Sequence, residues 1–301
     1  MPRVRQNCVF NLKTIKIMKK VILVVCLLFA ATTLSARESA SRLKGSGKIV
    51  TETRDAKAFN SIDVSNAIRV TMSENPNGKI IVKADDNVIP YVKTRFEGQT
   101  LVIKLECPYK SLGNVNMDVE LPYSKNLRKL DISGASSVKI EYPIENNELD
   151  IKISGASKAV LSSVKVSKLE AGLSGASDLV ISSLSADECD VDLSGASRAS
   201  FAGLDSSKFD CDISGASDLS IQGASEFCDI EACGASSVKA GDFTVKNCRV
   251  DLSGASNAKI NCVESLSGKV SSASHLAYSG SPKTNVSTSS DGSITAKKRI
   301  K

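Results

Sequence analysis

Aromatic residues are scarce in this 301-residue chain: tryptophan is absent, tyrosine and phenylalanine number 5 and 8, and His275 is the single histidine. This shortage weakens the case for a sugar-stacking cleft, because aromatic faces usually supply the contact surface there. A Ser-His-Asp triad would have to be built around His275. Glycine-rich phosphate loops and metalloprotease motifs are also missing. The sequence therefore offers little of the common catalytic machinery, and it predicts no cofactor.

Long hydrophobic runs are confined to the start of the chain. Two lysines precede an apolar run over residues 21–31, and small residues follow as far as Ala36. This order is typical of a secretory signal peptide, and the run is shorter than the roughly 20 residues of a membrane span. We interpret residues 1–36 as upstream sequence plus a signal peptide starting at Met18, with no membrane span after cleavage.

The charge balance argues against nucleic acid as a partner. The net charge is +6, but residues 1–36 contain six Lys or Arg and no acidic residue. The rest of the chain contains 33 basic and 33 acidic residues. Nucleic-acid binding depends on neutralising phosphates with a basic surface, and no basic patch stands out in this neutral remainder.

A motif of the Ser-Gly-Ala-Ser type (SGAS) recurs seven times in the second half of the sequence. Its glycines are separated by 21, 20, 20, 20, 19 and 20 residues. A fixed period of this length predicts a solenoid, in which each repeat is one coil that buries its apolar side against the next. The motif glycines are Gly134, Gly155, Gly175, Gly195, Gly215, Gly234 and Gly254.

Apolar residues alternate on both sides of each motif. Counted from the glycine, positions −6, −4 and −2 are apolar almost throughout, and the pattern resumes at +4, +6 and +9, as in Leu179, Ile181 and Leu184. Strict alternation predicts strands with one buried face. Crossovers between parallel strands are right-handed in nearly all proteins. We therefore predict an all-β chain that forms a right-handed parallel β-helix, a solenoid with about 20-residue coils turned by SGAS motifs.

The motif itself reads as a structural turn. Glycine allows a backbone conformation with positive φ, and serine hydroxyls can hydrogen-bond the turn backbone. We expect the small alanine to point into the tight corner. Serine and glycine dominate turns for these reasons, so we favour this interpretation over one in which the serines are nucleophiles.

Seven cysteines follow residue 36, and several share the register of the core. Cys189, Cys228 and Cys248 occupy position −6 and Cys211 occupies position −4, where other coils have large apolar residues. They read as small core hydrophobes. Cys228 and Cys248 would be neighbours on adjacent coils and within disulfide range, so free thiols and a disulfide both remain open for this pair.

Three regions follow the signal segment. Residues 37–125 have β character without the motif and are predicted to cap the solenoid or to supply its first coils. Residues 126–280 form the repeat β-helix, which ends in a degenerate coil with Ser272 in place of the glycine. Residues 281–301 are polar and are predicted to form a cap or tail over the last coil.

Outward positions −5 and −3 carry carboxylates over three consecutive coils. Such an acidic patch could bind Ca²⁺, which takes several oxygen ligands, or provide the paired carboxylates of a glycosidase. Outward strand positions are also simply charged and solvated in many proteins, and we favour that interpretation, with no metal and no catalytic residue assigned. The candidate Ca²⁺ ligands are Asp190, Asp192, Asp210, Asp212, Asp229 and Glu231.

The segments at residues 59–62, 68–71 and 98–103, together with the SGAS turns, resemble the putative autotransporter adhesin, head GIN domain family. The resemblance covers roughly residues 55–290. It implies a pectin-lyase-type β-helix whose small-residue glycine turns join its sheets. It also implies a role in cell adhesion without conserved catalytic residues, so no functional residue carries over from the family.

The sequence thus favours an exported, non-enzymatic cell-envelope protein that acts as an adhesin or surface-binding β-helix. We expect it in the periplasm, on the outer surface of a Gram-negative envelope, or secreted. Its partner would be a protein or glycan at the cell surface, and self-association through the edge of the last coil is a further expectation. The alternatives are a carbohydrate-active β-helix enzyme that uses the acidic patch, and a structural periplasmic protein.

Overall fold

The structure is a computed structural model that describes residues 42–73 and 78–297. The predicted upstream and signal segment, residues 1–36, lies outside the described residues. Residues 42–73 and 78–297 are mostly β-strand, and they contain one short 3-10 helix, Ile89–Tyr91. Within the described ranges, no helix is long and apolar enough to cross a membrane.

The first eleven strands are short and precede the regular repeats. They are β1 (Arg42–Lys44), β2 (Ile49–Asp55), β3 (Ser61–Val64), β4 (Arg69–Ser73), β5 (Lys79–Asp85), β6 (Val92–Glu97), β7 (Thr100–Leu105), β8 (Ser111–Gly113), β9 (Met117–Pro122), β10 (Lys129–Ile132) and β11 (Ser137–Ile140). Strands β1 and β8 pair with each other in a small sheet. Most of that sheet belongs to a separate small unit, and the other strands belong to the larger unit.

Seven of the ten later strands are longer, and five of these run from one SGAS turn to the next. They are β12 (Ile144–Ile153), β13 (Lys158–Leu173), β14 (Asp178–Leu193), β15 (Arg198–Ile213), β16 (Asp218–Ala232), β17 (Ser237–Leu252), β18 (Asn257–Ser271), β19 (His275–Ser279), β20 (Lys283–Ser289) and β21 (Ser293–Ala296). Consecutive long strands pair in parallel, residue above residue. The predicted parallel β-helix with coils of about 20 residues is confirmed, and the solenoid has about eight turns.

Each coil is one bent strand rather than two separate ones. Along β14 the alternation of inward residues slips by one residue after Ile181 and again after Ala186. A slip of this kind turns the strand around the core while hydrogen bonding to the next coil continues. The inward residues of this coil are Leu179, Ile181, Leu184, Ala186, Cys189, Val191 and Leu193.

A coil that the motif search did not identify lies near the start of the stack. Strands β3 and β4 pair in parallel with β10 and β11 on one side and with β7 and β9 on the other. Asn66 and Ala67 make the turn between β3 and β4, both with positive φ. Strand β5 then pairs antiparallel with β2 and β9, and β6 pairs antiparallel with β7.

The C-terminal tail adds a coil of its own. Strand β20 pairs in parallel with β18, and β21 pairs in parallel with β19. Ser290, with φ of 57°, lies in the turn between them. The residues of β20 are largely exposed and polar, so this coil covers the apolar core of β18 and β19 with a hydrophilic layer.

The core is aliphatic, with three stacked phenylalanines near its middle. Phe209 lies edge-on between Phe201 and Phe243, at ring-centroid distances of 6.3 and 5.8 Å. Edge-to-face pairs of this kind contribute about 0.5–1.5 kcal/mol beyond burial. Cys189, Cys211, Cys228 and Cys248 are buried in the same core, which confirms their prediction as core residues.

Candidate functional site

The SGAS turns form a continuous column along the solenoid, held together by backbone contacts. The seven motif glycines have φ between 74° and 82°. The alanine that follows each of the later glycines donates its N–H to the glycine carbonyl of the preceding coil, as from Ala196 to Gly175 at 2.7 Å. A Cβ on Gly195 would lie 2.6 Å from that same carbonyl oxygen. Glycine is therefore required both for its conformation and for close approach.

The serine and the alanine of the motif occupy positions that differ from the prediction. The second serine of each motif is buried. In the last five motifs its hydroxyl donates to the carbonyl three residues earlier, as from Ser217 to Ser214 at 2.9 Å. The alanines are exposed. The expectation that alanine points into the corner is wrong, because the turn uses the alanine N–H, and the inward position belongs to the serine.

The six predicted carboxylates lie together on the outer face of β14, β15 and β16. Two in-register columns contain them, one formed by Asp190, Asp210 and Asp229 and the other by Asp192, Asp212 and Glu231. We call these six residues the acidic face. Neighbouring strands in a sheet are about 4.8 Å apart, so like charges stack along both columns. A shallow groove of about 290 Å³ runs over them.

Basic side chains lie at the margins of the acidic face. Lys208 hydrogen-bonds Asp210, and Lys168 lies 3.5 Å from Asp190. On the next coil, the Arg249 guanidinium is 3.5 Å from Asp229 and 3.8 Å from Glu231. These pairs compensate part of the negative charge, although exposed pairs contribute little to stability.

The negative charges of the acidic face are compensated unevenly, as the pKa values of carboxyl groups in and beside it show. Burial raises the pKa of Asp192, and the negative charges of Asp212 and Asp190 raise it further. Burial also raises the pKa of Asp229, against the opposing charge of Arg249. By contrast, the hydrogen bond and positive charge of Lys168 lower the pKa of Glu170, which lies next to Asp190 in register. Within the acidic face, Asp192 and Asp229 are therefore carboxyl groups whose ionisation the surroundings disfavour.

The geometry does not gather these carboxylates into a metal-binding cluster. Across the described ranges, no group of three or more His, Cys, Asp or Glu side chains is arranged to hold a metal ion. One carboxylate oxygen each of Asp210 and Asp229 is buried and has no hydrogen-bond partner within this part of the chain. The six side chains share an open sheet surface.

A second groove, larger in volume, borders the acidic face and follows the first residue of the SGAS turns. It has a volume of about 470 Å³. Asp251 and Lys269 extend its charged wall beyond the six predicted residues. Cys233 replaces serine at the first motif position and is exposed, in contrast to the core cysteines.

Two further residues bear on the search for a site. His275 lies at the start of β19, where its Nδ1 is 2.9 Å from the Ser293 hydroxyl of the last coil. Phe227 is 54% exposed on the outer face of β16, in register with Lys208 and Asn247. Sequence reasoning missed Phe227, although its place at an outward position of the alternating pattern was a visible signal.

The fold and these surfaces define a class: a β-solenoid whose outer sheet presents an open, charged face made by successive coils. The chain belongs to the family described as putative auto-transporter adhesin, head GIN domain, which matches residues 58–222 and 173–282. The resemblance drawn from the SGAS turns is thereby confirmed. None of the curated proteins is similar enough to match the chain.

Several crystal structures share the fold. A putative adhesin from Parabacteroides merdae is 19% identical, with a TM-score of 0.65 over 86% of this chain and 100% of that chain. A putative adhesin from Parabacteroides distasonis is 20% identical, with a TM-score of 0.64 over 85% of this chain and 100% of that one. A putative lipid binding protein from the same species has 19% identity, the same TM-score and the same coverage. At these identities the likeness establishes the fold.

Proposed function

We propose that this chain is an exported, non-enzymatic protein of a Gram-negative cell envelope that acts as an adhesin. Its outer sheet would bind a protein or glycan at the cell surface. Membership of the adhesin family is the observation that carries this proposal. The solenoid supports it physically, because stacked coils build extended binding surfaces without any loop insertion.

The organisation of the acidic face supports a binding role rather than a catalytic one. Its carboxylates lie in straight columns on an open sheet, and four of them contact a lysine or arginine. A catalytic pair, in contrast, needs two carboxyl groups that face each other across a substrate. Surface charges of this kind tune the rate and specificity of association with a partner.

Protease shaving of intact cells tests the proposal. Cells that express the protein are treated with a protease, and the protein is detected with an antibody beside a periplasmic control protein. Digestion of this protein with the control intact supports exposure at the surface, and binding to candidate proteins and glycans then follows. Protection until the outer membrane is opened would contradict direct adhesion and would favour a structural periplasmic role.

A further inference from the structure

Two of the core cysteines are stacked directly on each other. Cys228 of β16 and Cys248 of β17 are Cα partners in the parallel register. Both point into the core, with exposures of 4% and 3%. The Cys248 thiol donates a hydrogen bond to the Arg249 carbonyl at 3.8 Å. No other two of the described cysteines are partners in the strand register.

The backbone geometry suits a covalent link between these two residues. Adjacent strands of a sheet are about 4.8 Å apart, and Cα atoms joined by a disulfide are usually about 4.4–6.8 Å apart. The two side chains leave the same face of the sheet from equivalent positions. A disulfide also needs Cβ atoms about 3.5–4.5 Å apart, slightly less than the strand spacing. The bond therefore requires rotation of both side chains and a small local approach of the two strands, with no change in the register of the coils.

We propose that Cys228 and Cys248 are a disulfide site that links two successive coils of the solenoid when the chain folds under oxidising conditions. The proposal concerns the chemistry of the chain and does not depend on an adhesive partner. The oxidant is a small-molecule or protein disulfide, for which oxidised glutathione serves as the probe.

The reaction is two successive thiol–disulfide exchanges. One cysteine thiolate attacks a sulfur of oxidised glutathione, which gives a mixed disulfide and releases one glutathione thiolate that takes up a proton. The second cysteine thiolate attacks the protein sulfur of the mixed disulfide and releases the second glutathione. The two protein sulfurs are oxidised, the two glutathione sulfurs are reduced, and both thiol protons pass to the released glutathione molecules.

Burial of the two thiols determines the stage of folding at which the disulfide forms. The neighbouring Cys248 thiol and burial raise the pKa of Cys228 well above its ordinary value. Because the thiolate is the reacting species, exchange is slow once the coils are packed. We expect the bond to form during folding, while the thiols are still accessible, and to resist small reductants afterwards.

Refolding followed by peptide mapping tests the proposal. The full chain is reduced, unfolded and refolded in a mixture of oxidised and reduced glutathione. Free thiols are then blocked with N-ethylmaleimide in denaturant before digestion with trypsin. Cleavage after Lys208, Lys239, Lys246 and Arg249 places Cys248 on the peptide 247–249 and Cys228 on the peptide 209–239. We expect these two peptides to be recovered as a linked pair, about 2 Da lighter than their sum.

Matched variants assign the bond, because Cys211 and Cys233 share a peptide with Cys228. In the Cys211→Ala, Cys233→Ser double variant the linked pair should persist, and Cys248→Ala should abolish it. Full maleimide labelling of Cys228 and Cys248 in the refolded wild-type chain would overturn the proposal. So would a link from Cys248 to Cys211 or Cys233. The peptide map of the refolded wild-type chain tests the proposal even where a variant fails to fold.

Discussion

Single residues in the turns set the spacing of the coils. Each motif glycine has a left-handed conformation. From Gly175 onwards, each also lies against the glycine carbonyl of the coil before it. In the same five motifs the buried serine donates a hydrogen bond to a turn carbonyl, as from Ser217 to Ser214. Both demands recur through these five coils, which explains physically why the sequence repeats these residues more faithfully than it repeats the core.

Replacing a motif glycine should be costly. Gly195→Ala forces an L-residue to φ of 77° and places a methyl group 2.6 Å from the Gly175 carbonyl oxygen. We expect a loss of about 2 kcal/mol or more in the free energy of unfolding, measured by urea denaturation. Gly172→Ala is the matched control, since nothing lies within 4 Å of its Cβ position. It should leave stability unchanged or slightly higher, and equal losses in both variants would refute the turn explanation.

The buried serines offer a second comparison at this scale. The Ser197 hydroxyl donates to the Ser194 carbonyl at 2.5 Å, so Ser197→Ala should lower the unfolding free energy by about 1 kcal/mol. The buried Ser136 hydroxyl has no partner among the described residues. Ser136→Ala should therefore be neutral or stabilising in the same denaturation experiment. The reverse order of the two effects would contradict the assigned hydrogen bonds.

Whole strands decide where charge accumulates on the surface. Parallel in-register pairing places equivalent residues of successive coils directly above one another. A carboxylate repeated in the sequence therefore becomes a column of like charges. Lysine and arginine relieve this repulsion at the margins of the acidic face but not at Asp192, whose pKa is raised.

Removing the charge of Asp192 should stabilise the fold at neutral pH. A carboxyl with a raised folded-state pKa destabilises the fold when ionised. The gain in Asp192→Asn should thus be complete above that pKa and disappear as the pH falls below the ordinary value of 3.8. Solvent screening limits the gain to about 0.3–0.5 kcal/mol.

Urea denaturation at neutral and acidic pH measures this gain. Asp187→Asn is the control, because Asp187 is an exposed residue of the same strand outside the acidic face. It should show no comparable dependence. A gain in Asp192→Asn that persists at low pH would argue against charge repulsion as its cause.

Much of the element structure could be predicted from the sequence, because one period repeats. The spacing of the glycines gave the coil length, and alternation gave the inward residues, including Leu179 and Cys189. The β3–β4 coil escaped the motif search because Asn66 and Ala67 replace the glycine turn, although asparagine tolerates positive φ. The motif search also missed the coil formed by β20 and β21, because its residues are polar and show no apolar alternation.

The arrangement of functional side chains was predictable only in part. Outward positions −5 and −3 identified the acidic face, since strand alternation fixes which side a residue lies on. The ion pairs between the acidic face and Arg249 depend on side-chain rotamers and on the neighbouring coil, and the alternation of residues along a strand specifies neither. Raised pKa values depend on burial and on every nearby charge, so they follow only from the folded arrangement.

At the scale of the whole stack, each coil depends on its neighbours to cover its ends. A chain that begins at residue 126 would lack β3 and β4, which pair with β10 and β11. Unpaired strand edges and exposed core residues such as Ile132 promote association. We expect this truncated chain to elute as aggregates in size-exclusion chromatography. A chain that ends at Lys297 keeps every described strand and should elute as the full chain does.

The position of β3 and β4 in the stack has a consequence for the order of assembly during synthesis. A ribosome makes this layer before either of the layers that enclose it, β7 with β9 and β10 with β11. The nascent chain therefore has no completed template until Ile140 has emerged. From that point each new coil meets a finished edge, and strand pairing can extend coil by coil towards the C-terminus.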